Sequence, residues 1–402
     1  MKLFCLPRVC CFLFCCFCAN DVFAQRERDE FPTLKNFKGL QFKSSDSSIY
    51  MNFRFRMQSR LGAYTTGGDN LKIQEFDARV RRLRMRVDGY LYSPKLSYTI
   101  QLAFTRSDQD FDDTGVANIV RDAVVFYNFT PDFYLAFGLN KLPGNRQRVN
   151  SSSQLQFADR SIVNASMNID RDFGLKAYYK HKIGKRAIYH LKGAITTGEG
   201  RVTNSTDNGL AYTVRAELLP FGSFIDDGDY SEGDLVREKT PKLSFGGGYS
   251  KNVRTTRSGG QIGYYLYEPI TLQTYFADAI FKYNGWAYQV EYIERSVDKA
   301  LTYNDEGNVK YAFNGRGLNQ QVSYLFKNNY ELAGRYSWLS PGENIRLYQE
   351  QTDIVELGIT KYIHQHRIKV QFNANYQIQE GEFALDNDGN RWGGMFQIEL
   401  GI

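Results

Sequence analysis

The chain has 402 residues, a formal net charge of +6 and a mean hydropathy of −0.46. All six cysteines lie in the first 18 residues, which excludes disulfides, thiolate metal sites and cysteine nucleophiles from the rest of the chain. Aromatic side chains make up 15% of the residues, a large share for a chain that is polar on average.

The N-terminus has the layout of a secretory signal peptide. Lys2 and Arg8 precede an apolar run, and Ala24 ends a plausible cleavage motif, so we expect cleavage between Ala24 and Gln25. The apolar run is shorter than the roughly 20 residues that a transmembrane helix needs, which disfavours a membrane anchor. The sequence therefore predicts a signal peptide (1–24) and export.

Alternation with a period of two begins near residue 50. Phe53 and Phe55 alternate with Arg54 and Arg56, a spacing that scatters both residue types around a helix but separates them onto the two faces of a strand. The pattern returns in RVRRLRMRVDGYL, LSYTIQLAF, FYLAFGL, GLAYTVRAEL, WAYQVEYI, RIKVQFNANY and the C-terminal MFQIELGI. These segments are predicted to be β-strands.

Two folds satisfy this alternation. A soluble sandwich or barrel would bury the apolar face, whereas a membrane barrel would turn it towards lipid. Aromatic-rich apolar faces suit a membrane barrel, and arginines deep within strands would not fill a soluble core. We therefore predict an all-β fold, a transmembrane antiparallel β-barrel at 48–402, preceded by a short N-terminal periplasmic segment at 25–47.

Short turns and longer polar loops separate the predicted strands. Counting segments gives about 16 strands, with one ambiguous segment near 259–268, and predicts short periplasmic turns and long extracellular loops. The longer polar stretches are 61–78, 105–117, 141–171, 198–208, 220–240, 251–271, 296–316, 339–352 and 378–391. The acidic segments 106–113 and 226–234 are expected to be solvated extracellular loops.

Residues as well as pattern resemble one family, the phosphate-selective porins O and P, over roughly 45–402. The segments that carry the resemblance are RRLRMRVDGYLYSPKLSYTIQLAF, GLNKLPGNRQRVNSSSQLQFADRSIVN and IDRDFGLKAYY. The resemblance implies a trimeric, 16-stranded outer-membrane porin with one loop, at about 141–171, folded into the lumen. It also implies an arginine ladder that includes Arg82, Arg84 and Arg86, and it places Lys141 where the chain enters the inward loop.

The inward faces of the predicted strands are rich in arginine, whose planar, permanently charged guanidinium suits oxyanions. The candidate pore-lining and anion-binding residues are Arg54, Arg56, Arg82, Arg84, Arg86, Arg121, Lys141 and Arg215, and Lys176 and Lys369 share the inward parity. A row of such cations would raise the local concentration of anions. The alternative is that these arginines pair with Asp88, Glu217 or Glu291 and brace the wall.

Other classes of barrel have weaker support. An outer-membrane enzyme would need a Ser–His or Asp–His set, and the four histidines lie in a tight turn or in ordinary strand contexts. An adhesin or structural barrel would have a filled or acidic lumen. We therefore expect a non-enzymatic porin of a Gram-negative outer membrane, without cofactor or metal. Its expected partners are small anions, lipid and further copies of the chain in a homotrimer. A general porin without phosphate selectivity is the alternative.

Overall fold

The computed structural model describes residues 39–66, 71–105, 110–111, 117–201, 209–380 and 389–402. Sixteen long strands within these residues pair antiparallel, each with the next along the chain, and the last pairs with the first to close a barrel. The predicted transmembrane barrel of about 16 strands is confirmed. No helix in the described part of the chain has the length and apolarity needed to cross a bilayer.

The elements follow one another in a simple up-and-down order. The strands are β1 (Leu40–Lys43), β2 (Ile49–Thr66), β3 (Ile73–Leu91), β4 (Leu96–Ala103), β5 (Asp110–Phe111), β6 (Ala117–Asn118), β7 (Val120–Asn128), β8 (Phe133–Lys141), β9 (Arg171–Ile183), β10 (Ala187–Thr196), β11 (Ala211–Leu219), β12 (Lys242–Arg257), β13 (Tyr265–Tyr283), β14 (Trp286–Val297), β15 (Leu301–Tyr303), β16 (Val309–Tyr311), β17 (Gly315–Leu325), β18 (Tyr330–Pro341), β19 (Thr352–His364), β20 (Ile368–Gln379) and β21 (Arg391–Gly401). The pairs β5–β6 and β15–β16 are small hairpins in loops. Two short helices, α1 (Arg146–Val149) and α2 (Ile162–Met167), and two 3-10 turns, Ile225–Tyr230 and Glu343–Ile345, lie in the connections.

The strands are apolar outside and polar inside, the reverse of a soluble barrel. On β11, Tyr212 and Val214 are 46% and 55% exposed, whereas Thr213, Arg215 and Glu217 between and beside them are buried. The buried side chains are thus the polar ones, which face the lumen, and the exposed ones form the surface that a bilayer covers. This parity follows directly from the alternation in the sequence.

A charge on the outer face should therefore be costly. Val214→Arg, near the middle of β11, is expected to destabilise the barrel by about 2–4 kcal/mol, because lipid cannot solvate the guanidinium. Leu347→Arg makes the same kind of change in the loop between β18 and β19, where Leu347 is 95% exposed, and should cost little. Denaturant unfolding in lipid vesicles measures both, and equal stability of the two variants would contradict the assignment of the outer face.

The barrel is closed by both ends of the described chain. β21 pairs with residues 56–66 of β2, and β1 pairs with residues 50–53 of the same strand, on the same side. The last residues of the chain and Leu40–Lys43 therefore lie end to end along one edge of β2. Residues 39–47 of the predicted periplasmic segment thus contribute a strand, while residues 1–38, including the predicted signal peptide, lie outside the described residues.

One rim of the barrel has short turns and the other has longer loops, with one exception. The stretch 220–240 was expected among the extracellular loops, but strand order places the connection between β11 and β12 (220–241) at the short-turn rim. Most of its acidic part, 226–234, is also not a solvated loop, since Asp229, Glu232 and Asp234 are buried and only Asp226 and Asp227 among its acidic residues are exposed. Both expectations were wrong, because length and polarity identify a loop but not its rim or its direction. Of the other acidic segment, 106–113, only residues 110–111 are described.

The connection between β8 and β9, here termed the inward loop (142–170), folds into the barrel. Leu142, Val163 and Met167 pack inside the barrel against Phe276 of β13 and Ile293 of β14. Ser161 caps α2 by accepting a hydrogen bond from the backbone amide of Asn164 (3.2 Å). The hydrophobic core of this membrane protein therefore lies in its lumen, and the predicted inward loop is confirmed.

Candidate pore constriction

A cavity of about 390 Å³ lies between the inward loop and the wall formed by β2, β3, β4, β7, β8 and β9. Its described lining holds ten cationic side chains and a single carboxylate, that of Asp122. The cations are Arg54, Arg56, Arg84, Arg86, Arg121, Lys141, Arg148, Arg160, Arg171 and Arg367. Six of the eight predicted site residues are therefore brought together here, and Arg82 and Arg215 are not.

The acidic side chains of the opposite wall hold the inward loop. Asn145 donates to Oε1 of Glu291 (3.0 Å), Arg146 donates to Oδ1 of Asp278 (2.5 Å) and Gln156 donates to Oε1 of Glu331 (2.6 Å). These carboxylates lie on β13, β14 and β18 and are buried beneath the loop. The loop thus covers acidic groups of one wall and leaves the arginine-rich wall lining the remaining space.

Hydroxyl and carbonyl groups of the inward loop set the position of several cations. Ser152 accepts hydrogen bonds at Oγ from Arg56 (2.8 Å) and from Arg84 (3.1 Å). Lys141 donates to the carbonyl oxygens of Val149 (2.7 Å) and Asn150 (2.9 Å), at the C-terminal end of α1. These acceptors are neutral and fix the position of the cations without pairing their charge, although Arg56 also lies 3.7 Å from Oε1 of Glu399.

Arg160 of the inward loop is held in the same way. It donates to the carbonyl oxygens of Gln147 (2.6 Å) and Asn150 (2.8 Å). Burial, together with the neighbouring Arg148, lowers the pKa of Arg160 to about 9. The lowered pKa reflects the cost of keeping this guanidinium charged in an enclosed site beside a second cation.

Other cations of the cavity are partly neutralised. Arg171 binds Asp122 through Nε (2.9 Å) and Nη2 (3.2 Å), and Arg54 and Arg86 share the carboxylate of Asp88. For these residues the bracing interpretation holds in part. Arg148 donates to Oδ1 of Asp170 (2.8 Å) behind the lining. The ten cations of the described lining thus face Asp122 and, behind it, Asp88, Asp170 and Glu399, and this excess leaves the cavity electropositive.

Two β-bulges decide which arginines reach the lumen. Gln58 of β2 lies opposite Arg82 of β3, whereas the next residue, Ser59, lies opposite Val80. Arg81 is therefore the extra residue of a bulge, and Arg81 and Arg82 both turn inward. Pairing likewise skips Arg121 between the partners of Gln101 and Leu102. Strict alternation from the rest of β7 would put Arg121 on the outer face, and the bulge instead lets it line the cavity.

Arg82 lies outside the cavity and supports the inward loop. It donates to Oε1 of Gln58 (2.6 Å) and approaches Asp159 (4.0 Å), which also binds Arg60 (2.6 Å). Enclosure in the barrel by itself would raise the pKa of the Asp159 carboxylate. The guanidinium groups of Arg60, Arg82 and Arg81 together have the larger, opposite effect and lower this pKa to about 2. The carboxylate therefore stays ionised, and the loop stays attached through it, until the pH falls to about 2.

Arg215 is a structural residue of the wall. Its guanidinium binds both carboxylate oxygens of Asp278 (2.7 and 2.9 Å) and Oε1 of Glu217 (2.6 Å), and all three side chains are buried. The alternative prediction, in which an inward arginine pairs with carboxylates and braces the wall, therefore holds for Arg215. Lys176 and Lys369 also have structural contacts, the latter with the carbonyl oxygens of Ser153 (2.9 Å) and Leu155 (2.7 Å).

Sequence reasoning missed four of the ten cations. Arg148, Arg160 and Arg171 all lie within the predicted inward loop (141–171), so that treating every cation of that segment as a candidate would have found them. Arg367 directly precedes β20 and shares the inward parity of Lys369 in the segment RIKVQFNANY, so that the alternation would have found it as well. Tyr230, which reaches the cavity from the segment at the short-turn rim, carries no comparable signal.

A closed 16-stranded barrel, apolar outside and narrowed by an inward loop, defines a porin of the bacterial outer membrane. The chain belongs to the family described as phosphate-selective porin O and P, whose model matches residues 51–397. It is 24% identical over 368 residues to an uncharacterized protein of Aquifex aeolicus, covering 81% of this chain and 82% of the relative.

Solved porin structures share the fold. OmpF of Salmonella typhi, in complex with daunomycin, aligns with a TM-score of 0.54 at 13% identity and covers 90% of this chain and all of its own. An anion-selective porin from Comamonas acidovorans aligns with a TM-score of 0.51 at 10% identity, covering 88% of this chain and 99% of its own. At these identities the likeness concerns the fold alone.

Proposed function

We propose that this porin conducts small anions passively and prefers phosphate or related oxyanions. One observation carries the proposal: the cavity beside the inward loop is lined by nine arginines and Lys141 against Asp122 alone among the described residues. A cluster of this kind in a water-filled constriction attracts anions and repels cations. The family description and the anion-selective structural neighbour point the same way.

The chemistry of the lining favours oxyanions over simple halides. A guanidinium offers paired N–H donors in a plane, which match two oxygens of a phosphate, sulfate or carboxylate group. Arg56 and Arg84 meet at Ser152, so that an entering oxyanion would contact two guanidinium groups and a hydroxyl within one small region. Since the cations are distributed over several strands and the loop, an anion could pass from one to the next without a single tight site.

Planar-bilayer recording tests the two parts of the proposal separately. In a gradient of potassium chloride the reversal potential should show anion selectivity, and added phosphate should then reduce the chloride current at concentrations where matched ionic strength alone does not. Cation selectivity would refute the anion channel. Anion selectivity without phosphate block would leave a general anion porin.

Maturation, assembly and the absence of catalysis are further parts of the proposal. We infer cleavage after Ala24 from the layout of the N-terminus, and assembly into a homotrimer as the family resemblance implies. The mature protein should then begin at Gln25, and the native protein in mild detergent should have three times the protomer mass. Incubation with phospholipid should release no fatty acid, because the proposed role is passive conduction.

A further inference from the structure

The segment 220–241, here termed the rim segment, enters the lumen from the mouth opposite to the inward loop. It leaves β11 at the short-turn rim and then turns inside, where Asp229, Glu232 and Asp234 are each buried to at least 96%. A connection of this length at the rim of short turns has no need to fold inward merely to join two strands. The inward path of the segment therefore indicates a role inside the barrel.

The wall fixes the rim segment at several points. Lys282 donates to the carbonyl oxygen of Gly228 (2.6 Å) and to Oγ of Ser231 (3.1 Å). The carboxylate of Asp234 accepts from the backbone amide of Gly285 (2.7 Å). Phe224 packs against Leu219 and Ile280. These contacts are spread over the segment and come from different strands, so it is a well-anchored element.

The rim segment also meets the inward loop. The backbone amide of Glu232 donates to the carbonyl oxygen of Gln154 (3.0 Å), and Oε2 of Glu232 accepts from the backbone amide of Gln156 (2.9 Å). Arg146 donates to the carbonyl oxygen of Asp229 (2.7 Å). The loop stretch that Glu232 holds is adjacent to Ser152, which contacts Arg56 and Arg84.

Gly233 is required for this approach. Its φ is +71°, and a Cβ there would lie 2.6 Å from Oε1 of Glu331 and 3.2 Å from Nε2 of Gln156. Glycine takes this conformation without strain, whereas a side chain here would be strained and would press on the Glu331 carboxylate and the Gln156 amide. Beside it, Tyr230 lines the arginine cavity and donates from its hydroxyl to Glu217 (2.5 Å). The segment thus both supports the inward loop and forms part of the cavity surface.

We propose that the rim segment is a second constriction element, and that Glu232 is the positioning residue through which it sets the width of the pore. The inference rests on conduction through the arginine cavity. The width of the pore then depends on elements from both rims of the barrel. The inward loop comes from the long-loop rim, and the rim segment, from the short-turn rim, holds it in place. The arginines determine which ions pass, and Glu232 determines how open the path is.

Single-channel recording separates these two properties. Glu232→Ala removes the acceptor of the Gln156 amide, and we expect conductance to rise about twofold with added current noise, because the loop is no longer held against the rim segment. Glu232→Gln keeps one acceptor oxygen and should lie between Glu232→Ala and the native protein. Asp227→Asn removes the same charge from an exposed position of the same segment and should leave conductance unchanged.

Reversal potentials and folding complete the test. The ratio of anion to cation permeability should not fall in any of the three variants, since none removes a cation of the cavity and the two Glu232 variants remove a negative charge that interacts with Arg160. Native conductance and noise in folded Glu232→Ala would overturn the proposal, as would equal effects of Glu232→Gln and Asp227→Asn. A native channel that proves cation-selective would instead refute the proposed anion conduction and leave the conductance comparison valid.

Discussion

Replacing Arg56 and Arg84 together by alanine is expected to lower the ratio of anion to cation permeability about tenfold. A unit charge about 4 Å from an ion contributes about 4 kcal/mol at an effective dielectric constant of about 20. Salt and the remaining cations reduce this contribution, and a tenfold change corresponds to about 1.4 kcal/mol. Both residues line the cavity and meet at Ser152, so that their loss removes charge from one small region.

The measurement is the reversal potential in a salt gradient, with phosphate block recorded on the same channels. Arg346→Ala is the control for loss of an arginine away from the cavity, because it removes one guanidinium from the exposed loop between β18 and β19. Its permeability ratio should stay near the native value. If the double variant also keeps the native ratio, Arg56 and Arg84 hold the inward loop and do not select ions.

Replacing Arg215 by alanine is expected to lower the stability of the folded barrel strongly. The substitution leaves the buried carboxylates of Glu217 and Asp278 without the guanidinium that contacts both, although Arg146 still binds Asp278. Breaking a buried ion pair on one side typically costs about 3–5 kcal/mol. We therefore expect a clearly lower denaturant midpoint for unfolding from detergent micelles or vesicles.

The double variant Arg215→Ala, Asp278→Asn provides an internal comparison. Removing the Asp278 charge as well should recover part of the stability, because the single variant leaves two buried carboxylates, Glu217 and Asp278, with one cation fewer. Channels of Arg215→Ala that do fold should keep the native permeability ratio, since Arg215 lies outside the cavity. A loss of stability below about 1 kcal/mol would contradict the role assigned to this ion cluster.

Much of the fold follows from local properties of the sequence. A period of two on β11 sorts Tyr212 and Val214 from Thr213 and Arg215 without reference to any other part of the chain, and the structure has them on opposite faces. The strand count follows from repeating that pattern. The inward loop, by contrast, was implied by resemblance to a family, since periodicity contains no information on where a loop lies.

The role of each arginine at the candidate site cannot be predicted from the local sequence. Arg84 and Arg215 have the same parity and chemistry in the sequence, yet Arg84 lines the cavity and Arg215 is held by Asp278. Arg121 reaches the lumen through a bulge that alternation does not predict. These differences depend on partners distant in sequence, which only the closed barrel brings together.

The sequence by itself determined the class of fold, the face of each strand and the abundance of arginine in the lumen, because all three depend on spacing along one strand. Only the tertiary structure decided which arginines form the constriction. The inward loop covers Glu291, Asp278 and Glu331 on one wall and leaves the cations of the other wall uncovered. The rim segment, whose acidic residues suggested a solvated loop, turns inside because buried cations and backbone amides provide partners for its carboxylates and carbonyl groups.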